Sequence, residues 1–132
     1  MGLKELDNEI QRARRESHNL VAAYVDVDGL KAVNDRQGHA AGDMVLRTVA
    51  DGFRRHMRPY DVFVRLGGDE FLCALPSVTV GEARARFEDL LAELKDAGDI
   101  TVSIGYTELR EGDSADELVK RADLALLESR GR

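Results

Sequence analysis

The chain has 132 residues, of which 43% are hydrophobic and 33% are charged. That length predicts one domain with a single core, and the apolar fraction excludes a disordered chain. The formal net charge of −6 argues against a surface that binds duplex nucleic acid. The single cysteine, Cys73, lies in an apolar run, which is typical of a buried, unpaired thiol. No apolar stretch is long enough to span a bilayer, so we expect a cytoplasmic protein without membrane contact.

The first half of the chain predicts a helix, a strand and a second helix. Residues 3–17 carry apolar side chains at helical spacing. Residues 19–28 are apolar on both faces and end in acids, which is typical of a central strand. Residues 29–42 combine a possible short helical turn with Gly38 and Gly42 as breaks, and residues 43–57 form an amphipathic helix.

The second half predicts a hairpin followed by a helix, a strand and a last helix. Strands over residues 62–66 and 71–76 flank the sequence GGDE, which joins them as a hairpin. A helix over residues 80–96, a strand over 100–109 and a helix over 114–130 complete the order.

Without its two flanking helices, the chain reads βαββαβ, the order of the ferredoxin-like α+β fold. Right-handed crossovers place the strands in the order 4-1-3-2 in one antiparallel sheet, with the helices between strands on one face. The end of the first strand and the tip of the hairpin then lie at the same edge of the sheet. Because side chains alternate along a strand, Asp26 and Asp28 point to the same face.

Acidic residues from two segments, 26–28 and 69–70, therefore converge at one edge. Carboxylates this close repel one another unless cations lie between them, and Mg²⁺ or Mn²⁺ suits oxygen ligands and phosphate. Gly67 and Gly68 lack a Cβ, so a bulky ligand can approach their N–H groups. Alternatively, the glycines only serve a turn with positive φ and the acids form a solvated loop tip. The match with Asp26 favours a site for metal and phosphate.

Two motifs together resemble the GGDEF family of diguanylate cyclases: GGDEF at residues 67–71 and DVDGLKAVNDRQGHAAGD at residues 26–43. The terminal ADLALLESRGR is similar to the last helix of the family, so the resemblance covers nearly the whole chain. It implies a nucleotidyl cyclase palm that condenses two GTP molecules into cyclic di-GMP and releases two pyrophosphates. It also implies Mg²⁺ or Mn²⁺, two ions per GTP, and a homodimer, because each domain binds one GTP.

The resemblance implies roles for the acids of the sheet edge. Asp26, Asp69 and Glu70 hold the metal ions, with the backbone carbonyl of Val27 as a further ligand. Asp69 or Glu70 also helps to deprotonate the attacking 3′-hydroxyl.

It likewise implies a set of residues that bind GTP: Asn34, Asp43, Gly67, Gly68, Lys31 and Arg130. A carboxylate such as Asp43 accepts from guanine N1–H and the N2 amino group, an arrangement that adenine does not offer. Arg130 stands where the family usually has a lysine that grips phosphate. From the residues alone, Asn34 can also be a turn former, Asp43 a helix N-cap and Lys31 a surface lysine.

The sequence RPYD, residues 58–61, matches the product-inhibition motif RxxD of the family and ends six residues before Gly67. Five intervening residues at ~3.3 Å each put it roughly 17 Å from GGDE, at the other end of the second strand. The fork of Arg58 can grip a phosphate or a guanine edge, and Asp61 can accept from guanine. The alternative is an ion pair at a turn between a helix and a strand.

The chain departs from the family pattern at both ends. A DxLTGLxNR-like opening segment is absent, and the sequence stops at Arg132 before a closing strand. We therefore expect a single domain over residues 1–132, trimmed from a longer protein and weakly active alone because two domains must meet. Its partners are then GTP and cyclic di-GMP. The alternative is a non-catalytic regulatory module that binds GTP or cyclic di-GMP.

Overall fold

The computed structural model describes residues 3–131, and this part of the chain forms five helices and four strands. In chain order they are α1 (Leu3–Glu16), β1 (Leu20–Val27), α2 (Leu30–Gln37), α3 (His39–Arg55), β2 (Val62–Arg65), β3 (Glu70–Pro76), α4 (Val80–Gly98), β4 (Val102–Glu108) and α5 (Ala115–Arg130). Most boundaries lie within two residues of the prediction. Within residues 3–131, no helix has the length and apolarity that a bilayer crossing needs.

The four strands form one sheet in the order β2-β3-β1-β4, and every neighbouring pair is antiparallel. This confirms the predicted ferredoxin-like α+β fold. β1 is the central strand and pairs with β3 on one side and β4 on the other. Its register sets Asp26 directly opposite Glu70 of β3 and Val27 opposite Val102 of β4.

The two faces of the sheet are covered by different helices. Odd-numbered residues of β1 pack into a core with Phe53 of α3 and Phe87 of α4. Even-numbered residues pack into a second core with Leu6 of α1 and Leu118 of α5. The period of two along a buried strand explains this division. The helices between strands thus share one face as predicted, and the flanking helices cover the other.

The segment between β1 and β2 differs from the prediction because it contains two helices. Gly38 separates α2 from α3 with φ 87°, a left-handed value that glycine adopts without steric cost. The second helix begins at His39, four residues earlier than its hydrophobic pattern indicates. Asp43 consequently lies inside α3, and the alternative that it caps the helix N-terminus is wrong.

Candidate functional site

The acids of the two segments meet at one edge of the sheet, as the topology predicts. Asp26 lies near the end of β1 and faces Glu70, the first residue of β3, across the antiparallel pair. The backbone N–H of Val27 donates to the carbonyl of Asp69 at 3.0 Å. The turn that carries Asp69 is therefore joined directly to the end of β1.

Arg130, at the end of α5, reaches across to this edge. Its Nη1 donates to Asp26 Oδ2 and its Nη2 to Asp28 Oδ1, each at 2.7 Å. Asp28 also accepts from Ser103 at 2.8 Å and from Thr101 at 3.1 Å. The arginine implied to grip phosphate thus binds two carboxylates in this structure.

The two carboxylates under Arg130 differ in their electrostatics. Burial raises the pKa of Asp26, the hydrogen bond from Arg130 opposes this, and the negative charge of Asp69 raises it further. For Asp28 burial acts in the same direction, but hydrogen bonds from Arg130 and Ser103 outweigh it and lower the pKa. In addition, Asp26 Oδ1 is buried and has no donor among residues 3–131. Asp26 therefore pairs with Arg130 through Oδ2 and keeps its buried Oδ1 without a donor.

Glu70 is positioned by a residue that the sequence analysis did not single out. Tyr24 Oη donates to Glu70 Oε1 at 3.1 Å. Burial raises the pKa of Tyr24, and its hydrogen bond to Glu70 adds to the effect. Tyr24 stands two positions before Asp26 on the same face of β1, so the alternation of side chains was a signal for it.

As they stand, the acids are not grouped as a metal site would require. Across residues 3–131, no three carboxylate, imidazole or thiolate side chains are grouped closely enough to hold a metal ion. Arg130 and Tyr24 hold Asp26 and Glu70 by separate hydrogen bonds. The donor set nevertheless fits a hard divalent cation, because a buried carboxylate oxygen without a donor faces a second carboxylate across the strand pair.

The GG turn is held from one side and open on the other. Arg65 donates to the carbonyls of Gly67 and Gly68 at 3.0 and 2.6 Å, and Gly67 N–H points to the carbonyl of Glu70 at 3.4 Å. Neither glycine has a positive φ, so the alternative that the turn demands one is wrong. A Cβ added to Gly68 would meet no described atom within 4 Å. The missing side chain leaves space outside the fold.

That space belongs to a cleft of about 280 Å³ lined by Leu30, Lys31, Asn34, Leu46, Arg65, Gly68 and Asp69. A second cleft of about 390 Å³ holds Asp43 and shares Leu46 and Arg65 with the first. The fold therefore brings together most of the residues implied to bind GTP, with Asp43 in the adjoining cleft. Gly67 and Arg130 lie outside the lining of both clefts.

At the other end of β2, the RxxD residues form a different arrangement. Asp61 Oδ2 accepts from the backbone N–H of Arg58 at 2.8 Å and from Arg86 Nη1 at 2.7 Å. The Asp61 side chain is completely buried, whereas the exposed Arg58 side chain donates to Tyr60 Oη at 3.1 Å. Asp61 thus has no exposed side-chain atom for guanine, which differs from the expected direct contact. Arg86 comes from α4, and sequence spacing gave no sign of it.

Comparisons with known proteins give a consistent picture. The family model described as "Diguanylate cyclase, GGDEF domain" matches residues 2–132. Similar curated proteins include Diguanylate cyclase DgcP of Pseudomonas aeruginosa, 33% identical over 131 residues, and Response regulator PleD of Caulobacter vibrioides, 32% identical over 130 residues. The matches cover 93% and 90% of this chain but only 20% and 29% of those relatives.

Solved structures resemble the whole described fold. The GGDEF domain of DgcB from Caulobacter crescentus, in complex with c-di-GMP, has a TM-score of 0.90 and 30% identity. That match covers 97% of this chain and 81% of the other. Diguanylate cyclase SiaD from Pseudomonas aeruginosa, in complex with its activator SiaC, has a TM-score of 0.89 and 36% identity, covering 98% and 53% of the two chains.

Proposed function

The chain belongs to the GGDEF family of diguanylate cyclase domains, and from that premise we propose that it condenses two GTP molecules into cyclic di-GMP. The observation that carries this proposal is the sheet edge where Asp26 faces Glu70 and keeps a buried oxygen without a donor. The cleft of about 280 Å³ beside the GG turn supplies Lys31, Asn34 and Asp69. Because GTP is the substrate, we place this activity in the cytoplasm.

We propose that Asp26, the carbonyl of Val27, Asp69 and Glu70 hold Mg²⁺ or Mn²⁺, two ions per GTP. Carboxylate and carbonyl oxygens are the ligands that these ions prefer, and phosphate oxygens complete their coordination. When bound, the ions would lower the pKa of the 3′-hydroxyl and stabilise the charge that develops at the α-phosphate. The raised pKa of Asp26 supports this assignment, since a bound cation would offset the free-energy cost of burying an ionised carboxylate.

The chain's own residues orient the nucleotide and accept its proton. In each half-reaction the 3′-oxygen of one GTP bonds to the α-phosphorus of the other, and pyrophosphate leaves. The proton of the 3′-hydroxyl passes to Asp69 or Glu70, and the hydrogen bond from Tyr24 fixes the direction of the Glu70 carboxylate. One cleft binds one GTP, so the proposed reaction needs a homodimer with the two clefts facing each other.

The remaining cleft residues select and hold GTP. We propose that Asn34 and Asp43 read guanine and that Gly68, with Gly67 beside it, gives the phosphates access to the turn. Lys31 and Arg130 supply positive charge for the phosphates. Arg130 must leave Asp26 and Asp28 to do so, and metal ions would replace it as the counter-charge.

We further propose product inhibition through the RxxD segment. The Arg58 side chain is exposed, so its guanidinium fork can receive a phosphate or a guanine edge, and the largely buried Arg86 shares Asp61 Oδ2 with the Arg58 backbone. Asp61 acts from beneath by holding the Arg58 backbone and the Arg86 side chain. The c-di-GMP complex of the similar DgcB domain supports cyclic di-GMP as the ligand class.

A second candidate function is a regulatory module that binds GTP or cyclic di-GMP without turnover. The contacts of Arg130 with Asp26 and Asp28 favour it, because the arginine occupies Asp26, a carboxylate that the proposed catalysis requires. Both functions share the nucleotide sites, and they differ only in whether product forms.

Two substitutions test the nucleotide sites reciprocally. Gly68→Ala places a methyl group where no described atom lies within 4 Å, so we expect stability to change by less than about 0.5 kcal/mol. Calorimetry should show that it weakens binding of guanosine 5′-(α,β-methylene)triphosphate at least about tenfold and leaves cyclic di-GMP binding unchanged. Arg58→Ala should do the reverse. Wild-type affinity for both ligands in both variants would refute the assignment of the two sites.

A further inference from the structure

The carboxamide of Asn34 occupies the place where residue 42 would carry a side chain. Gly42 is buried in α3, which packs against α2, the helix that carries Asn34. The three atoms that a Cβ at position 42 would approach most closely all belong to the Asn34 side chain, with Oδ1 first. The overlap with Oδ1 is too severe to persist, so any residue larger than glycine must displace this carboxamide.

The contact also sets where the carboxamide of Asn34 lies. Asn34 Oδ1 is buried and receives no hydrogen bond from residues 3–131. No hydrogen bond to this oxygen holds the carboxamide, so its position depends on packing in the space beside Gly42. A carboxamide has one accepting and one donating end. Because Asn34 lines the cleft, the carboxamide that fills the space beside Gly42 can present its Nδ2 donor there.

We propose that Gly42 is a positioning residue that leaves room for the Asn34 carboxamide beside the cleft, from where its amino group donates to the nucleotide base. This inference rests on the proposed binding of GTP. Guanine presents the acceptors O6 and N7, whereas adenine presents the N6 amino donor in place of O6. Beside Gly42, the exposed Asp43 carboxylate accepts from guanine N1–H and N2. Asn34 and Asp43 thus form a donor and acceptor pair that matches guanine and mismatches adenine, and Gly42 gives the Asn34 carboxamide the space that this position requires.

A double-mutant cycle tests whether Gly42 acts through Asn34. Calorimetry with Mg²⁺ measures the α,β-methylene analogues of GTP and ATP on wild type, Gly42→Ala, Asn34→Ala and the double variant. Gly42→Ala should weaken the guanine analogue about tenfold, the loss of one hydrogen bond, without weakening the adenine analogue. The double variant should bind the guanine analogue no more weakly than Asn34→Ala, because the Cβ then has no carboxamide to displace. Additive losses, or equal losses for both nucleotides, would overturn the proposal.

Gly81→Ala in helix α4 is the matched control, since a Cβ there would lie 3.8 Å from Thr79 Oγ1, an ordinary van der Waals distance. The affinities of this variant should equal those of wild type. If Gly42→Ala fails to fold, recovery of folding in the double variant supports the steric contact, and failure of both overturns it. A wild type that binds neither analogue overturns the proposed function and this inference with it. Wild-type binding that Gly42→Ala leaves unchanged overturns this inference alone.

Discussion

Helix α5 carries two arginine–carboxylate clusters whose completeness differs. Arg121 donates to both oxygens of Asp113, at 3.0 and 2.7 Å, to Thr107 Oγ1 at 2.9 Å and to the carbonyl of Glu108 at 2.8 Å. The backbone N–H of Arg110 adds a further bond to Asp113 at 2.7 Å. In this cluster, each carboxylate oxygen has a donor.

The cluster at Arg130 is more open and leaves one oxygen unpaired. The side chains of Arg130 and Asp26 are 36% and 13% exposed, against 22% and 8% for Arg121 and Asp113. The hydrogen bond from Arg121 lowers the pKa of Asp113, whereas burial raises the pKa of Asp26. The comparison teaches that the fully hydrogen-bonded pair at Arg121 suits a structural role, whereas the pair at Arg130 keeps an acceptor for the cation proposed above.

The largest expected effect is on stability at the complete cluster. Arg121→Ala should lower the free energy of unfolding by about 3 kcal/mol, because it leaves a buried carboxylate without its partner. Urea denaturation measures this change, and Arg130→Ala is the matched control on the same helix. Since its pair is partly exposed, Arg130→Ala should cost less than about 1 kcal/mol. Equal losses in the two variants would break the distinction between the clusters.

A smaller effect is expected on metal binding at the open cluster. Arg130→Ala should raise the affinity of the nucleotide-free protein for Mn²⁺ about fivefold, since it removes a positive charge from Asp26 and Asp28. Electron paramagnetic resonance of free Mn²⁺ measures this directly. Arg121→Ala, titrated in its folded range, should show wild-type affinity. If Arg130→Ala binds Mn²⁺ no better than wild type, Arg130 does not compete with the metal ion for the carboxylates of Asp26 and Asp28.

The smallest expected effect is a change in pH dependence. The pKa of Asp113 is lower in the folded state than in the unfolded chain, where it is about 3.9. Its contribution to stability is therefore present above about pH 4 and is lost as the pH falls through the folded pKa. From pH 5 to pH 2, wild type should lose more unfolding free energy than Asp113→Asn in urea titrations. Parallel curves for the two proteins would show that Asp113 is not stabilised by Arg121.

The sequence predicted the helices and strands whose apolar residues recur at a regular spacing. It also predicted the sheet edge at which the acidic residues meet. The opposition of Asp26 and Glu70 followed from topology, because antiparallel neighbours bring a strand end and a hairpin tip together. The start of α3 was missed because glycine and alanine residues weaken the helical pattern before Asp43. Gly38 then supplies a boundary that depends on its backbone angle.

Contacts that depend on docking of distant elements were beyond sequence reasoning. Arg130 and Asp26 are 104 residues apart and meet only because α5 packs against the sheet. The sequence RPYD suggests that Asp61 is a surface residue, yet its side chain is buried and forms an ion pair with Arg86 of α4. The contact between Asn34 and Gly42 likewise requires the packing of α2 on α3. In each case the residue type suggested a role, and only the tertiary structure identified its partner.

The most direct test of the central claim is product formation from GTP. Nucleotide-free protein is incubated with GTP and Mg²⁺ or Mn²⁺ at increasing protein concentration, and cyclic di-GMP is measured by chromatography beside Glu70→Gln. The account predicts product from wild type only, with a rate per domain that rises with protein concentration because two clefts must meet. Absence of product at every concentration, in protein that binds the GTP analogue, would contradict the cyclase assignment and favour the regulatory module.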